Sequence, residues 1–287
     1  MKHPFFSRNL IAFFLVLLAA ETLHAQIDVA PVHVLLSSRQ RDTEVFVTNT
    51  LDEAVEVSTK TSFKVLRSDS LGNRRLDSVV TTAELSSSCR SWLKIYPRKM
   101  LLPPRATRSI RIIGLPPEGV ADGEYHARLE IAGQRVGRPG QARQDTAIFM
   151  DIRTRLNVGI PVTFRKGKVE TGIAIDDIHV RRADSGFVLL VDTRRLGNAT
   201  YRGTLRATVR GTDGTEMTVQ EREFTSETTL RNSIGLQNIP DGTYNLEVES
   251  RSVRTGAVND VMLPAPPVAK SYRLTVSSSD IRVAGSE

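Results

Sequence analysis

Thr43-Glu44-Val45-Phe46-Val47-Thr48 is the stretch whose reading decides the fold class. Val45 and Val47 fall on one face, and Glu44, Phe46 and Thr48 on the other, which is the period-two signature of a half-buried strand. The same alternation recurs outward from it. Ala54 to Ser58 sets Val55 and Val57 against Glu56, and Ser109 to Ile113, Tyr125 to Ile131 and Ala147 to Leu156 continue the theme. Pro- and Gly-rich turns separate these runs, and no long amphipathic helix lies between them, so βαβ units are excluded. A second series follows Pro161, around Ile173–Val180, Phe187–Asp192, Thr204–Arg210, Tyr244–Ser250 and Ser271–Val276. Gly211-Thr212-Asp213-Gly214 reads as a turn between two of these. The expectation is an all-β chain with two β-sandwich domains in tandem. Their bounds are expected at residues 26–162 and 163–280, with 281–287 as a tail, and the basic stretch Arg165-Lys166-Gly167-Lys168 marks the junction.

The 287 residues are 40% hydrophobic and 25% charged, a globular composition that excludes collagen-like and wholly disordered chains. That length accommodates two cores. Residues 1–25 read as a secretory signal peptide. Lys2 and Arg8 form a positive start, Leu10 to Ala20 is an apolar run of eleven residues, and Leu23-His24-Ala25 offers cleavage after Ala25. Eleven residues fall well short of the about 20 that span a bilayer. The expectation is a mature chain beginning at Gln26, exported to the periplasm without membrane insertion. The lone Cys89 excludes an internal disulfide and any Cys-rich metal site, and a buried, inert thiol is expected.

One motif occurs twice. Asp122-Gly123-Glu124-Tyr125 precedes the run His126–Ile131, and Asp241-Gly242-Thr243-Tyr244 precedes Asn245–Val248. Each follows an Ile-Gly-Leu sequence, Ile113-Gly114-Leu115 and Ile234-Gly235-Leu236. A Tyr placed just after a turn, at the start of a strand, meets the requirement of a tyrosine corner. Catalytic chemistry is scarce by comparison. His33, His126 and His179 are the histidines beyond the signal segment, and no two have metal-ligand spacing on one element. Asp177 and His179 share a strand face and read as exposed polar residues. No nucleophile elbow or phosphate-binding loop occurs. Arg135, Arg138 and Arg143 lie in a loop without interleaved aromatics, which argues against nucleic acid. Neither an enzyme nor a metal or other cofactor is expected.

An ordered set of segments in the first domain resembles the periplasmic pilus-assembly (fimbrial) chaperones. It runs from Ile27–Leu35 through Val47-Thr48-Asn49-Thr50 to Trp92-Leu93-Lys94-Ile95-Tyr96-Pro97. Leu101-Leu102-Pro103-Pro104, Arg108-Ser109-Ile110-Arg111-Ile112, Gly114-Leu115-Pro116 and the strand Ala147–Leu156, running to Pro161, complete it. The resemblance covers roughly 130 residues, and the second half of the chain offers no matching motif.

The resemblance implies immunoglobulin-like sandwiches and a chaperone acting by donor-strand complementation, in which a strand is lent to an incomplete subunit. It places the lent strand at Thr146–Leu156, with Ile148, Met150 and Ile152 filling the client's groove. It also implies a pair of basic residues that grip the client's terminal carboxylate. Arg155 matches one of them, and His33 stands where the family pattern has Arg, a departure pointing to a divergent member. Partners are then pilin-like or other surface-appendage subunits, with an outer-membrane usher as a further one. The alternative is an exported immunoglobulin-like structural or adhesive binding module with no chaperone activity.

Overall fold

A computed structural model of the protein describes residues 26–136, 155–183, 186–237, 239–252, 262–277 and 280–285. Alternation that places apolar side chains on one strand face builds two β-sandwiches, each with its own core. In the first, a four-stranded sheet has the order β1 (Ile27–Ala30), β3 (Asp42–Asn49), β9 (Thr107–Gly114), β7 (Leu93–Tyr96). It faces a five-stranded sheet ordered β2 (Val34–Ser37), β11 (Arg155–Lys166), β10 (Gly123–Arg135), β4 (Val55–Ser62), β8 (Lys99–Leu102). Val45 and Val47 of the opening stretch are fully buried between the sheets, with Ile110, Ile112, Leu129 and Phe164. Trp92 packs its ring 4.5 Å from Tyr125 and edge-on to Phe164. Cys89 lies in the same core, and burial pushes its thiol pKa up to about 12, so it is inert.

The second sandwich pairs a three-stranded sheet with a five-stranded one. The former is β12 (Thr171–Ala183), β13 (Gly186–Gly197), β16 (Thr229–Leu236). The latter is β15 (Glu216–Ser226), β14 (Tyr201–Gly211), β17 (Gly242–Arg251), β18 (Val268–Val276), β19 (Ile281–Gly285). The expected turn at Gly211–Gly214 joins β14 to β15, closed by Gly211 N–H donating to the Thr215 carbonyl at 2.8 Å.

Both tyrosine corners form. Tyr125 donates to the carbonyl of Ala121 at 2.8 Å, and Tyr244 to that of Pro240 at 2.9 Å, each four residues back. Asp177 and His179 are exposed neighbours, 3.3 Å apart, on β12.

Three boundaries differ from the sequence expectation. The first sandwich ends at Lys166 and the second begins at Thr171, so the junction is residues 167–170 rather than the step from 162 to 163. β11 runs through Gly159 and Pro161, and Pro161 is tolerated because it pairs with β10 alone, on the side where its missing N–H is not needed. The expected strand Ala147–Leu156 falls outside the described residues except for its last two, which open β11. Residues 281–285, expected as tail, form β19 on the edge of the second sandwich.

Between β4 and β7 the chain inserts a hairpin, β5 (Val65–Ser68) and β6 (Arg74–Asp77), and one helical turn, α1 (Thr82–Leu85). Thr81 and Glu84 cap that turn reciprocally.

Candidate functional site

The ends of β10 and β11 that face the second sandwich carry the densest polar chemistry in the described structure. Glu124 follows directly from the turn of the first tyrosine corner, and its side chain is fully buried. Arg165 Nε donates to Glu124 Oε2 at 2.8 Å, and the Thr200 N–H approaches Oε1 at 3.3 Å. His126 Nε2 lies 3.7 Å from Oε1 and 3.1 Å from the Thr200 hydroxyl. Burial works to raise the pKa of Glu124, but His126, Arg165 and the Thr200 hydrogen bond outweigh it and hold the carboxyl below its usual range. Glu124 and Arg165 are therefore a desolvated ion pair whose value lies in fixing a geometry.

The linker closes on the same row. Gly167 has φ +59°, and a Cβ there would fall 1.9 Å from Asp122 Oδ1, so only glycine fits. Asn198 joins both sandwiches to the linker. Its side-chain amide donates to the carbonyls of Asp122 (3.1 Å) and Lys168 (3.0 Å), and its own carbonyl accepts from the Glu124 N–H at 2.9 Å.

On the β2 side of the row, His33 Nε2 and the Thr163 hydroxyl are 3.0 Å apart. Burial, then the nearby Arg202 charge, lower the His33 pKa to about 4, so the ring is neutral from pH 6 to 7.5. Arg202, on β14, is half-buried, and its Nε has no hydrogen-bond partner in the described structure. Burial and Arg165 lower the pKa of Arg202, against Glu124 and Glu227, which raise it. On the β10 side, a cavity of about 340 Å³ opens beside Ser87, Glu124, His126, Arg195, Thr200 and Glu227. Arg195 is committed to backbone carbonyls, including those of Glu227 (2.7 Å) and Gly197 (2.6 Å). Arg202 thus brings a positive charge to the row on a half-buried guanidinium whose Nε is shut off from solvent.

The structure separates the two residues expected to share a client carboxylate. Arg155 opens β11, pairs in register with Gln134 and donates to Ser58 Oγ at 3.3 Å. His33 lies at Thr163, eight residues further along the strand, which at about 3.3 Å per residue is roughly 26 Å away. One carboxylate does not bridge that gap, so the Arg155–His33 pairing is corrected. The register inferred from the sequence placed the end of the last strand at residue 156, whereas β11 ends at Lys166. Ile148, Met150 and Ile152 lie outside the described residues. Glu124 and Arg165 enter the sequence reading only through the D-G-x-Y motif and the basic junction stretch, and Thr200 and Arg202 not at all; none of the four is expected there as a site residue. A polar Glu inside the first D-G-x-Y was the available signal, because a tyrosine corner alone does not require it.

No family model matches the chain, and a comparison by sequence with curated proteins finds no match. Its neighbours among solved structures are fimbrial chaperones. A class 5 fimbriae chaperone, CfaA, is 12% identical with a TM-score of 0.44, over 88% of this chain and 99% of that one. The CupB2 chaperone of Pseudomonas aeruginosa is 12% identical with a TM-score of 0.41, over 87% and 100%. The SafA pilin–SafB chaperone complex of Salmonella enterica gives 12% and 0.41, over 80% and 92%. Among the described residues no group of three or more His, Cys, Asp or Glu side chains is placed to hold a metal ion.

Proposed function

We propose that the protein is a periplasmic chaperone that holds surface-appendage subunits by lending them a strand of its first sandwich. The observation that carries this reading is the divided edge of β11. Residues Val162–Arg165 pair with β10 on one side and with β2, in parallel, on the other. Residues Arg155–Pro161 pair with β10 alone, and no described strand lies on their other side. Apart from the Gly159 carbonyl, which accepts from Arg128 Nη2 at 2.8 Å, and Pro161, which has no N–H, their backbone groups have no described strand to pair with and suit strand addition. Leu156 and Val158 point the same way as the buried Ile160 and Val162 but remain half-exposed, a row of apolar side chains whose outer end is uncovered. The proposal extends to Ile148, Met150 and Ile152 on their alternation in the sequence, and to an outer-membrane usher as the acceptor of the loaded complex.

In this reading the client's terminal carboxylate is gripped by Arg202, not by Arg155. Arg202 is the half-buried cation near His33, and a carboxylate supplies two oxygens that match the outer N–H groups of a guanidinium. A peptide from the C-terminus of a pilin-like subunit tests both parts. Val158→Glu is expected to abolish peptide binding with the fold intact, since it places a charge where the added strand packs. Arg202→Ala is expected to weaken binding by roughly 2–5 kcal/mol, and amidating the peptide's carboxylate should reproduce that loss in the wild type without adding to it in the variant. Unchanged binding by Val158→Glu would sink strand lending. An amide that binds the wild type as well as the acid does would remove the anchor alone.

A further inference from the structure

The insertion between β4 and β7 reaches across to the second sandwich. The β5–β6 hairpin lies along β16, whose other side is paired with β13 in the three-stranded sheet. The N–H of Arg231 donates to Ser68 Oγ at 2.7 Å, and Arg231 Nη1 donates to the Ser70 carbonyl at 3.3 Å. Arg74 Nη2 donates to Asn232 Oδ1. At the hairpin tip Gly72, with φ +78°, approaches so closely that a Cβ would meet Ser233 at 3.0 Å. Both sides of this contact are held from behind. Asp69 accepts from the N–H groups of Leu71 and Asn73 and so shapes the tip. Asp192 grips Arg231 through Nε at 2.7 Å and Nη2 at 2.6 Å, and the Asn232 amide donates to Thr193 Oγ1 at 2.9 Å.

We propose that this hairpin is an interdomain latch that fixes the angle between the two sandwiches. The covalent connection is residues 167–170, stapled by Asn198. The latch engages opposite Val191 and Asp192, which precede Asn198 by seven and six residues, and so lies roughly 20 Å from the linker. A hinge rotation of about 10° displaces a point that far away by roughly 3.5 Å, enough to break every hydrogen bond of the latch. Attachment at one point leaves a hinge free in every direction, whereas a second, widely separated attachment stops every rotation except that about the line joining the two. The row between the sandwiches, where Arg165, Glu124 and His33 of the first meet Thr200 and Arg202 of the second, is thereby kept at one width. The latch belongs to the free protein and holds whether or not the cleft takes a client.

Its test uses the full mature chain without any ligand. Spin labels on Glu44→Cys and Gln220→Cys, exposed positions in the first and second sandwich, report the interdomain distance, and buried Cys89 does not compete for label. The expected result is one narrow distance with the latch intact, and a broad distribution when Ser68→Ala and Arg74→Ala are combined. Amide exchange at Arg231 gives a second readout, expected to accelerate about tenfold or more in Ser68→Ala, because its acceptor is gone. A folded double variant with an unchanged distance distribution overturns the latch. Should the double variant not fold, Ser68→Ala alone decides, and unchanged exchange at Arg231 overturns it equally.

Discussion

The two tyrosine corners are built from the same four-residue pattern and make the same hydrogen bond, yet they serve different surroundings. Asp122-Gly123-Glu124-Tyr125 abuts the second sandwich, and its third residue is a fully buried carboxylate paired with Arg165. Asp241-Gly242-Thr243-Tyr244 has Thr at that place, and Thr243 is exposed. The tyrosine in each case does the local work of closing the turn. The residue before it is free of that duty, and its burial is decided by what lies outside the sandwich. A corner is thus a rigid mount that places one adjacent side chain reproducibly, and only the first corner uses it to present charge.

Exchanging that residue gives the largest expected effect. Glu124→Thr, which makes the first corner like the second, removes the fully buried carboxylate that half-buried Arg165 grips and is expected to cost about 3 kcal/mol in denaturant unfolding. Thr243→Glu makes the reverse change on an exposed site and should stay within about 0.5 kcal/mol. Equal losses for the two would erase the distinction between the corners.

A smaller effect separates the corners by pH. His33, near Glu124 and Arg202, is neutral in the folded state with a pKa of about 4, below the unfolded value of 6.5. The unfolded chain therefore binds more protons between those values, so this stability is complete above about pH 6.5 and drains away as pH falls toward 4. The full extent is about 3 kcal/mol, read as a falling urea midpoint. Glu124, whose folded pKa is depressed, adds a loss in the same direction as pH falls below the ordinary carboxylate range. His33→Gln should flatten the decline above pH 4.5 and leave the Glu124 component below it. A decline that survives His33→Gln unaltered would assign it to other groups.

The smallest effect concerns the shared hydrogen bond itself. Tyr125→Phe and Tyr244→Phe should each cost about 1 kcal/mol. Tyr244 is the more buried of the two, so its orphaned Pro240 carbonyl should make that variant the more costly. Thermal unfolding of the two single variants is sufficient to rank them.

Sequence alone determined the local layers of this protein. Alternation at Thr43–Thr48 and its repeats specified strands and their buried faces, since side chains on a strand point to opposite sides whatever the strand later packs against. The D-G-x-Y pattern specified both corners, because a tyrosine hydroxyl four residues beyond a turn carbonyl needs no distant partner. Cys89 was legible as inert for a similar reason: it is the chain's single cysteine and cannot form an internal disulfide. What tertiary structure decided was every relation between segments far apart in the chain. The register of β11 depended on pairing with β10 and β2, so Arg155 and His33, adjacent in the expected alignment, stand at different ends of one strand. Arg202 gained its place beside His33 only when β14 was brought against the first sandwich, and the Ser68–Arg231 contact spans 163 residues. Such meetings leave no periodicity in the sequence, because long-range contacts are set by how whole sheets pack and not by the spacing of neighbours along the chain.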